Sequence, residues 1–502
     1  MPQKPSSPAA PHWHPGPWQW RTALLYSLFA IAWYLADIAV LTIDPWHELQ
    51  LIAQGILRPG LGQMEFLLRT VWQTVAFALL GVALALPAGL MLALGYQHKG
   101  IALGCALVRG VHELFWALLL MQIFGLAPLT GILAIALPFA ATFARVFYDM
   151  LRLAPAPLEH SLPGDWLSRF VYGRMAKVWP LMASYIRYRF ECALRSSAVL
   201  GFIGLPTLGF YLESAYSQGQ YALGGALLLL FILLIGTLKY WARRTLLPFY
   251  LLAAWYWLPA APALDSLTLL QQFLHDLLPP LQLDSRPGNT NVMTLMQGVS
   301  DWFAPLFYGQ ILPGVAATLL LALAALGLTH LLTLLCLPLA SRRFWPGWLS
   351  GQLASLALRS TPEYLLAFVF VLLVGPSMLP GILALALHNA ALLVFLLARQ
   401  ADELPAQSVP LNSFDDWHFR VLPVLYPNAM ALLLYRFEVI LRESAILGMI
   451  GVMTLGFYVD SAFAELRLAN AAMLLLFTAL LNMLVDALSQ RLQARAVRPM
   501  AC

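Results

Sequence analysis

Apolar residues along this chain run in blocks of about 20, separated by short stretches rich in Arg, Asp and Pro. A block of that length matches the hydrocarbon thickness of a bilayer, so each one predicts a membrane-spanning helix. The first half holds Arg21–Ile43, Val71–Leu94, Ile101–Phe124, Gly131–Leu151, Leu181–Leu212 and Tyr221–Leu238. The second holds Leu246–Leu264, Leu312–Leu339, Leu353–Val374, Leu379–Leu397, Asn428–Val459 and Leu468–Leu488. Together they predict an all-α integral membrane protein with about 12 transmembrane helices. The blocks Leu181–Leu212 and Asn428–Val459 exceed one straight span and contain charges and glycines, which predicts broken helices.

These blocks are also a repeat. Tyr188-Arg-Phe-Glu191 returns as Tyr435-Arg-Phe-Glu438, and residues 180–215 match residues 427–462 at 20 of 36 positions without a gap. Upstream, Arg109-Gly-Val-His-Glu113 pairs with Arg359-Ser-Thr-Pro-Glu363. Gly131-Ile-Leu-Ala-Ile-Ala-Leu137 likewise pairs with Gly381-Ile-Leu-Ala-Leu-Ala-Leu387. The expected organisation is a tail (residues 1–20), one unit (21–244), a second unit (245–490) and a tail (491–502). Residues 261–304 read as an external polar loop and a surface for a partner. Six spans per unit is an even number, which makes the repeats parallel in topology.

Composition agrees with a membrane protein: 61% hydrophobic and 11% charged residues, with a mean hydropathy of +0.75. Basic residues such as Lys99, Arg145, Arg152, Arg174, Lys177, Arg243, Arg399 and Arg420 cluster on the side of the termini. Glu48, Glu213, Asp276 and Asp301 lie on the other, so the termini are expected in the cytoplasm. The net charge of +5 is thereby explained without nucleic acid. The four cysteines suggest neither a disulfide nor a metal site.

Charge inside the broken spans points to function, because an ionisable group in hydrocarbon is costly. Glu191 and Arg195, like Glu438 and Arg442, stand four residues apart with the acid first, the favourable order for a helical ion pair. With Tyr188, Arg189, Tyr435 and Arg436 they are the candidate lining of a pathway or gate. A neutralised pair that locks two helices is the plainer reading. Gly209, Phe210 and Tyr211, repeated as Gly456, Phe457 and Tyr458, are each followed closely by an acid and read as an external mouth. The loops Arg152–Lys177 and Arg399–Arg420 hold Glu159, Ser161, Pro163 and Trp166, and Ser408, Pro410, Phe414 and Trp417, and read as docking elements for a soluble partner. No P-loop, zinc-protease or nucleophile-elbow motif occurs. His47, His112, His275 and His388 read as isolated packing or loop histidines, and no enzyme chemistry is predicted.

At these motifs the chain resembles the permease subunit of binding-protein-dependent ABC importers of the phosphonate-transport type. The resemblance rests on Tyr188-Arg-Phe-Glu191, its copy at 435–438, the following Leu-Gly-x-Ile-Gly, and Arg359-Ser-Thr-Pro-Glu363. It spans about residues 70–238 and 310–488, and this chain looks like two such units fused. It implies a type I importer permease fold in a bacterial inner membrane, with two copies of an ATPase inside and a periplasmic substrate-binding protein outside. It also implies ATP-driven import of phosphonate, phosphite, phosphate or a related oxyanion, with ATP on the partner and no cofactor on this chain. The importer loop signature is degraded here to Leu158-Glu-His-Ser-Leu-Pro163, and His112 and Pro138 stand where the second copy has Pro362 and His388. Two other readings stay open: an ion-gradient transporter with Glu191 or Glu438 as coupling acid, and a scaffold or lipid-processing protein.

Overall fold

A backbone that crosses hydrocarbon must satisfy its own N–H and C=O groups, and among the described residues this one does so with helices alone. The computed structural model describes residues 17–42, 44–153, 165–243, 245–260, 266–279, 292–405 and 413–497. The first half holds α1 (Pro17–Leu35), α2 (Pro45–Leu57), α3 (Met64–Leu94), α4 (Lys99–Gly110), α5 (Glu113–Phe124) and α6 (Pro128–Leu153). It continues with α7 (Ala176–Val199), α8 (Leu208–Ser217) and α9 (Tyr221–Gly236). The second holds α10 (Leu247–Tyr256), α11 (Ser266–Asp276), α12 (Val292–Leu306), α13 (Leu312–Ala340), α14 (Trp348–Ser360) and α15 (Glu363–Val374). It ends with α16 (Met378–Glu403), α17 (Leu422–Ile446), α18 (Leu455–Ala464) and α19 (Leu468–Val497).

Among the described residues, six helices are long and apolar enough to span a membrane, or up to 9 spans if each of three bent pairs is one. The block Arg21–Ile43 is helical only to Leu35, and its remainder is strapped onto the second half: the Leu41 N–H donates to Val374 O at 2.7 Å and the Thr42 hydroxyl to Leu373 O at 2.6 Å. The block Leu246–Leu264 yields only the short α10. Residues 261–304 are not all loop either. They contain α11, which packs on α5, and most of α12, which runs through a π-turn into α13 as one helix of 49 residues.

The blocks Ile101–Phe124 and Leu353–Val374, expected straight, are folded into elbows of 95° between α4 and α5 and 97° between α14 and α15. The elbow backbones explain this. Val111 and Thr361 are extended, with ψ of 135° and 127°. Pro362, which has no N–H to donate, forces the residue before it out of the helical region.

The broken spans have a different cause. α7 passes through a 3₁₀ turn to Gly204 at φ +92°, and α17 does the same to Gly451 at φ +95°, a left-handed backbone that only glycine adopts cheaply. The chain then turns back so closely that a Cβ on Gly209 would strike Ala198 O and one on Gly456 would strike Ala445 O. A threonine from the first long helix of each half pins the restart: Leu208 N donates to Thr74 Oγ1 at 2.8 Å, and Leu455 N to Thr318 Oγ1 at 2.9 Å.

The halves are interlocked rather than merely adjacent. α1 packs on α13 of the second half, where the Tyr26 hydroxyl meets His330 Nδ1 at 2.9 Å, while α10 packs on α3 of the first. α19 crosses to α4, and Asn482 donates to Gly110 O at 2.7 Å. Gly204→Ala and Gly451→Ala should each cost about 1 kcal/mol through the left-handed φ. Gly209→Leu, which meets backbone, should cost far more. Thermal midpoints of the purified protein, followed by size-exclusion chromatography after heating, should fall in that order.

Candidate functional site

The two elbows and the two broken helices converge on one charged cavity of about 310 Å³ between the halves. Elbow geometry places its contents. Glu113 and Glu363 open α5 and α15, where the positive end of a helix favours an acid, and Arg109 and Arg359 close α4 and α14, where a cation is favoured.

Ion pairs at this centre run between the halves. Glu191 lies 3.7 Å from Arg359, and Glu438 lies 3.9 Å from Arg109. The expected pairs Glu191–Arg195 and Glu438–Arg442 are thus replaced, since a neighbour across the interface presents its guanidinium to each acid. Arg195 and Arg442 reach the elbow backbones instead. Arg195 donates to Arg359 O at 3.2 Å and Arg442 to Arg109 O at 3.5 Å, so each guanidinium caps an end carbonyl of the opposite half.

Around this reciprocal frame the walls differ. In the first half Arg189 lies over the face of Phe139, 4.6 Å from its centroid, with no carboxylate within ion-pair distance among the described residues. At the equivalent register of the second half, Asn389 replaces Phe139 and accepts a hydrogen bond of 2.6 Å from Arg436 Nε. Asp486 of α19 receives Arg109 and Arg145, both at 3.0 Å, and Gln490 at 2.7 Å. On the other side Arg359 and Arg399 flank the Phe395 ring at 4.1 and 4.3 Å.

The histidines are not isolated. His112 Nε2 lies 3.7 Å from Glu113, and His388 Nε2 lies 2.7 Å from Glu363. The exchange of His112/Pro138 for Pro362/His388 moves the imidazole from the elbow to the facing helix, and folding returns it to the elbow glutamate. His388 Nδ1 faces Thr361 O at 3.0 Å, which fixes the ring.

Of the residues read from sequence as a pathway, Tyr188, Arg189, Arg195, Tyr435, Arg436, Glu438 and Arg442 line the cavity, whereas Glu191 does not and pairs with Arg359 instead. Gly209, Phe210, Tyr211, Gly456, Phe457 and Tyr458, read from sequence as an external mouth, are not among the residues that line this cavity. Gly209 and Gly456 are buried in close backbone packing at the starts of α8 and α18. The aromatics pack on their neighbours instead. Phe210 is exposed and meets Tyr211 edge-on at 5.1 Å, and Tyr211 stands edge-on against Phe66 at 4.7 Å. Phe457 is half-buried and meets Tyr458 in the same manner at 5.5 Å.

Glu159, Ser161, Pro163, Ser408 and Pro410 lie outside the described residues. Trp166 opens a short helix, Phe414 is exposed, and Trp417 is buried against Phe344, beside an Asp416 held by Arg343 and Arg420. Sequence reasoning missed Glu113, Glu363, His112, His388, Asn389, Arg145 and Asp486 as groups in or around the cavity, while the exchange of Ser196 for Glu443 between the copies was visible as a difference in charge between the two sides. The repeated Arg-x-x-x-Glu of the elbows and the lone acid in the last apolar block were the available signals.

No family model matches the chain, and no solved structure matches it. Among curated proteins it is 24% identical over 510 residues to the phosphate-import permease protein PhnE of Mycolicibacterium smegmatis, covering 93% of this chain and 92% of that one. It is 28% identical to the phosphite transport system permease protein PtxC of Stutzerimonas stutzeri, over 48% of this chain and 82% of that one. Over 94 residues it is 32% identical to a putative cryptic phosphonate transport system permease protein of Escherichia coli, covering 18% of this chain and 77% of that one. The chain belongs to the phosphonate- and phosphite-type permeases of ABC importers. One relative aligns nearly end to end while another matches about half of this chain, as a fused tandem of two permease units requires. This permease is a multi-pass membrane protein built on a duplicated unit.

The cross-half pairs should show energetic coupling. Arg359→Ala and Glu191→Ala should each lower the thermal midpoint, and the double variant should fall short of their sum by about 1 kcal/mol. Strict additivity would remove this pair from the interface.

Proposed function

We propose that this permease forms the transmembrane pathway of an ATP-driven importer for phosphonate, phosphite, phosphate or a related oxyanion, working by alternating access. Arg189 carries the reading: a guanidinium with no carboxylate partner among the described residues faces a cavity between two pseudo-symmetric halves. Such a group is costly in a membrane unless a mobile anion completes it. The three relatives above, named for phosphate, phosphite and phosphonate transport, fit an anion of this shape.

Cavity residues Tyr185, Arg145, Asp486 and Gln490 lie toward the ends of α6, α7 and α19 that adjoin residues 152–177 and the C-terminus. Basic residues concentrate there, which supports a cytoplasmic location for those ends and for both termini. On that orientation the cavity faces inward. Opening it outward would part Arg109 from Glu438 and Arg359 from Glu191, two pairs that the pseudo-symmetry couples. The partners are two copies of an ATPase, meeting the loops around Phe414 and the 166–175 segment, and a periplasmic binding protein on the opposite face. The membrane is then the bacterial inner membrane. ATP hydrolysis belongs to the ATPase, and the chain itself needs no cofactor.

Uptake of radiolabelled phosphite, phosphate and methylphosphonate by cells expressing the permease with its ATPase and binding protein tests this. Arg189→Ala should reduce import about tenfold or more at unchanged membrane abundance, the loss expected for one charge-assisted contact. Arg189→Lys should retain part of it. Import that survives loss of the ATPase and collapses with the proton gradient would instead support a gradient-driven carrier.

A further inference from the structure

The repeat breaks at one cavity position. Ser196 of α7 and Glu443 of α17 hold the same register, 247 residues apart, and both line the cavity. Ser196 is committed, its hydroxyl donating to Glu113 Oε1. Glu443 has a buried Oε2 with no hydrogen-bond partner among the described residues. By the symmetry of the repeat it stands toward Glu363, as Ser196 stands toward Glu113. Glu363 already has a partner, the His388 imidazole at 2.7 Å.

Other charges around Glu443 are accounted for. Arg436, on its own helix, is held through Nε by Asn389. Arg442, also on α17, caps Arg109 O, and its guanidinium is shared electrostatically by Glu113, Glu438 and Glu443. Arg195, across the interface on α7, caps Arg359 O and touches His388. A second ionised carboxylate beside Glu363 would therefore be buried against a like charge without a donor of its own. Holding a proton removes that repulsion and turns the side chain into an O–H donor.

We propose that Glu443 keeps its proton while facing the cavity and donates it, as a hydrogen bond, to an unprotonated oxygen of a tetrahedral phosphorus oxyanion. The inference rests on the oxyanion reading above. It divides the labour between the walls: the first half supplies the uncompensated charge of Arg189, and the second supplies a neutral donor. An O–H donor pairs with P–O⁻ oxygens but not with a P–OH oxygen acting as donor, so the site favours the more deprotonated form of the anion. The hydrogen bond transfers no proton.

Two measurements test it on the intact chain. Infrared spectra of the purified protein in lipid nanodiscs should show the C=O stretch of a protonated carboxyl group that disappears in Glu443→Gln. Absence of the band, or its persistence in that variant, overturns the assignment. In cells with the full importer, Glu443→Gln should import radiolabelled phosphite within about twofold of the parent, because an amide still donates, and Glu443→Ala should lose about tenfold. The ratio of parent to Glu443→Gln uptake, in which the titration of phosphite itself cancels, should be highest at low pH and decline as Glu443 ionises. Equal import by Glu443→Ala, or a parent profile kept in Glu443→Gln, overturns the donor role. If the infrared band behaves as expected but the parent complex imports no phosphorus oxyanion, the proton stands and the transport reading falls.

Discussion

Charge burial between two halves in a low-dielectric membrane is the constraint on which this architecture depends. A lone guanidinium or carboxylate in hydrocarbon is expensive, and the expense falls only when an opposite charge or a set of carbonyls surrounds it. Here those partners come from the other half. Glu191 finds Arg359, Glu438 finds Arg109, and Arg195 and Arg442 close the carbonyl ends of helices that belong to their counterparts. Neither half satisfies these charges by itself, so separating them would leave buried ions unpaired, a strongly destabilising condition. That requirement supplies specificity to an interface which packing of Leu on Leu alone, in lipid, does not.

The elbows are what make such exchange possible. A straight helix would carry Arg109 and Glu113 one turn apart along one wall. Bent by 95°, the chain delivers both to the cavity, with the carbonyl end of α4 and the amide end of α5 open to it. The same turn at Pro362 delivers Glu363 to it and holds Arg359 beside Glu191. A glycine-dependent reversal then lays α8 and α18 back over the ends of α7 and α17 and brings each into contact with the opposite elbow. A Cβ at Gly209 would meet Tyr364, and one at Gly456 would meet Phe115.

Pseudo-symmetry holds the frame while the contents diverge. Duplication would deliver identical walls, yet Asn389 stands in the register of Phe139, Glu443 in that of Ser196, and Phe395 in that of Arg145. The histidines show the limit of such divergence. Their sequence positions have exchanged with proline, but each elbow glutamate still has an imidazole beside it.

Membrane class, the duplication, the broken helix with its repeated motif in each half and most of the charged residues that line the cavity were legible in the sequence. Each depends on local signals: runs of apolar residues about as long as a bilayer is thick, an alignment, and glycines amid charge. Partner choice was not. Glu191 and Arg195 sit four apart on one helix, and only tertiary structure places Arg359 nearer to that acid. Nor does linear spacing reveal that His388 meets Glu363 from another helix, or that α1 packs on the other half. Two apolar blocks fold into elbows for the same reason: hydropathy counts residues along a chain and is blind to direction. Which charge neutralises which is decided by distance in space, and that distance exists only after the two halves have closed on each other.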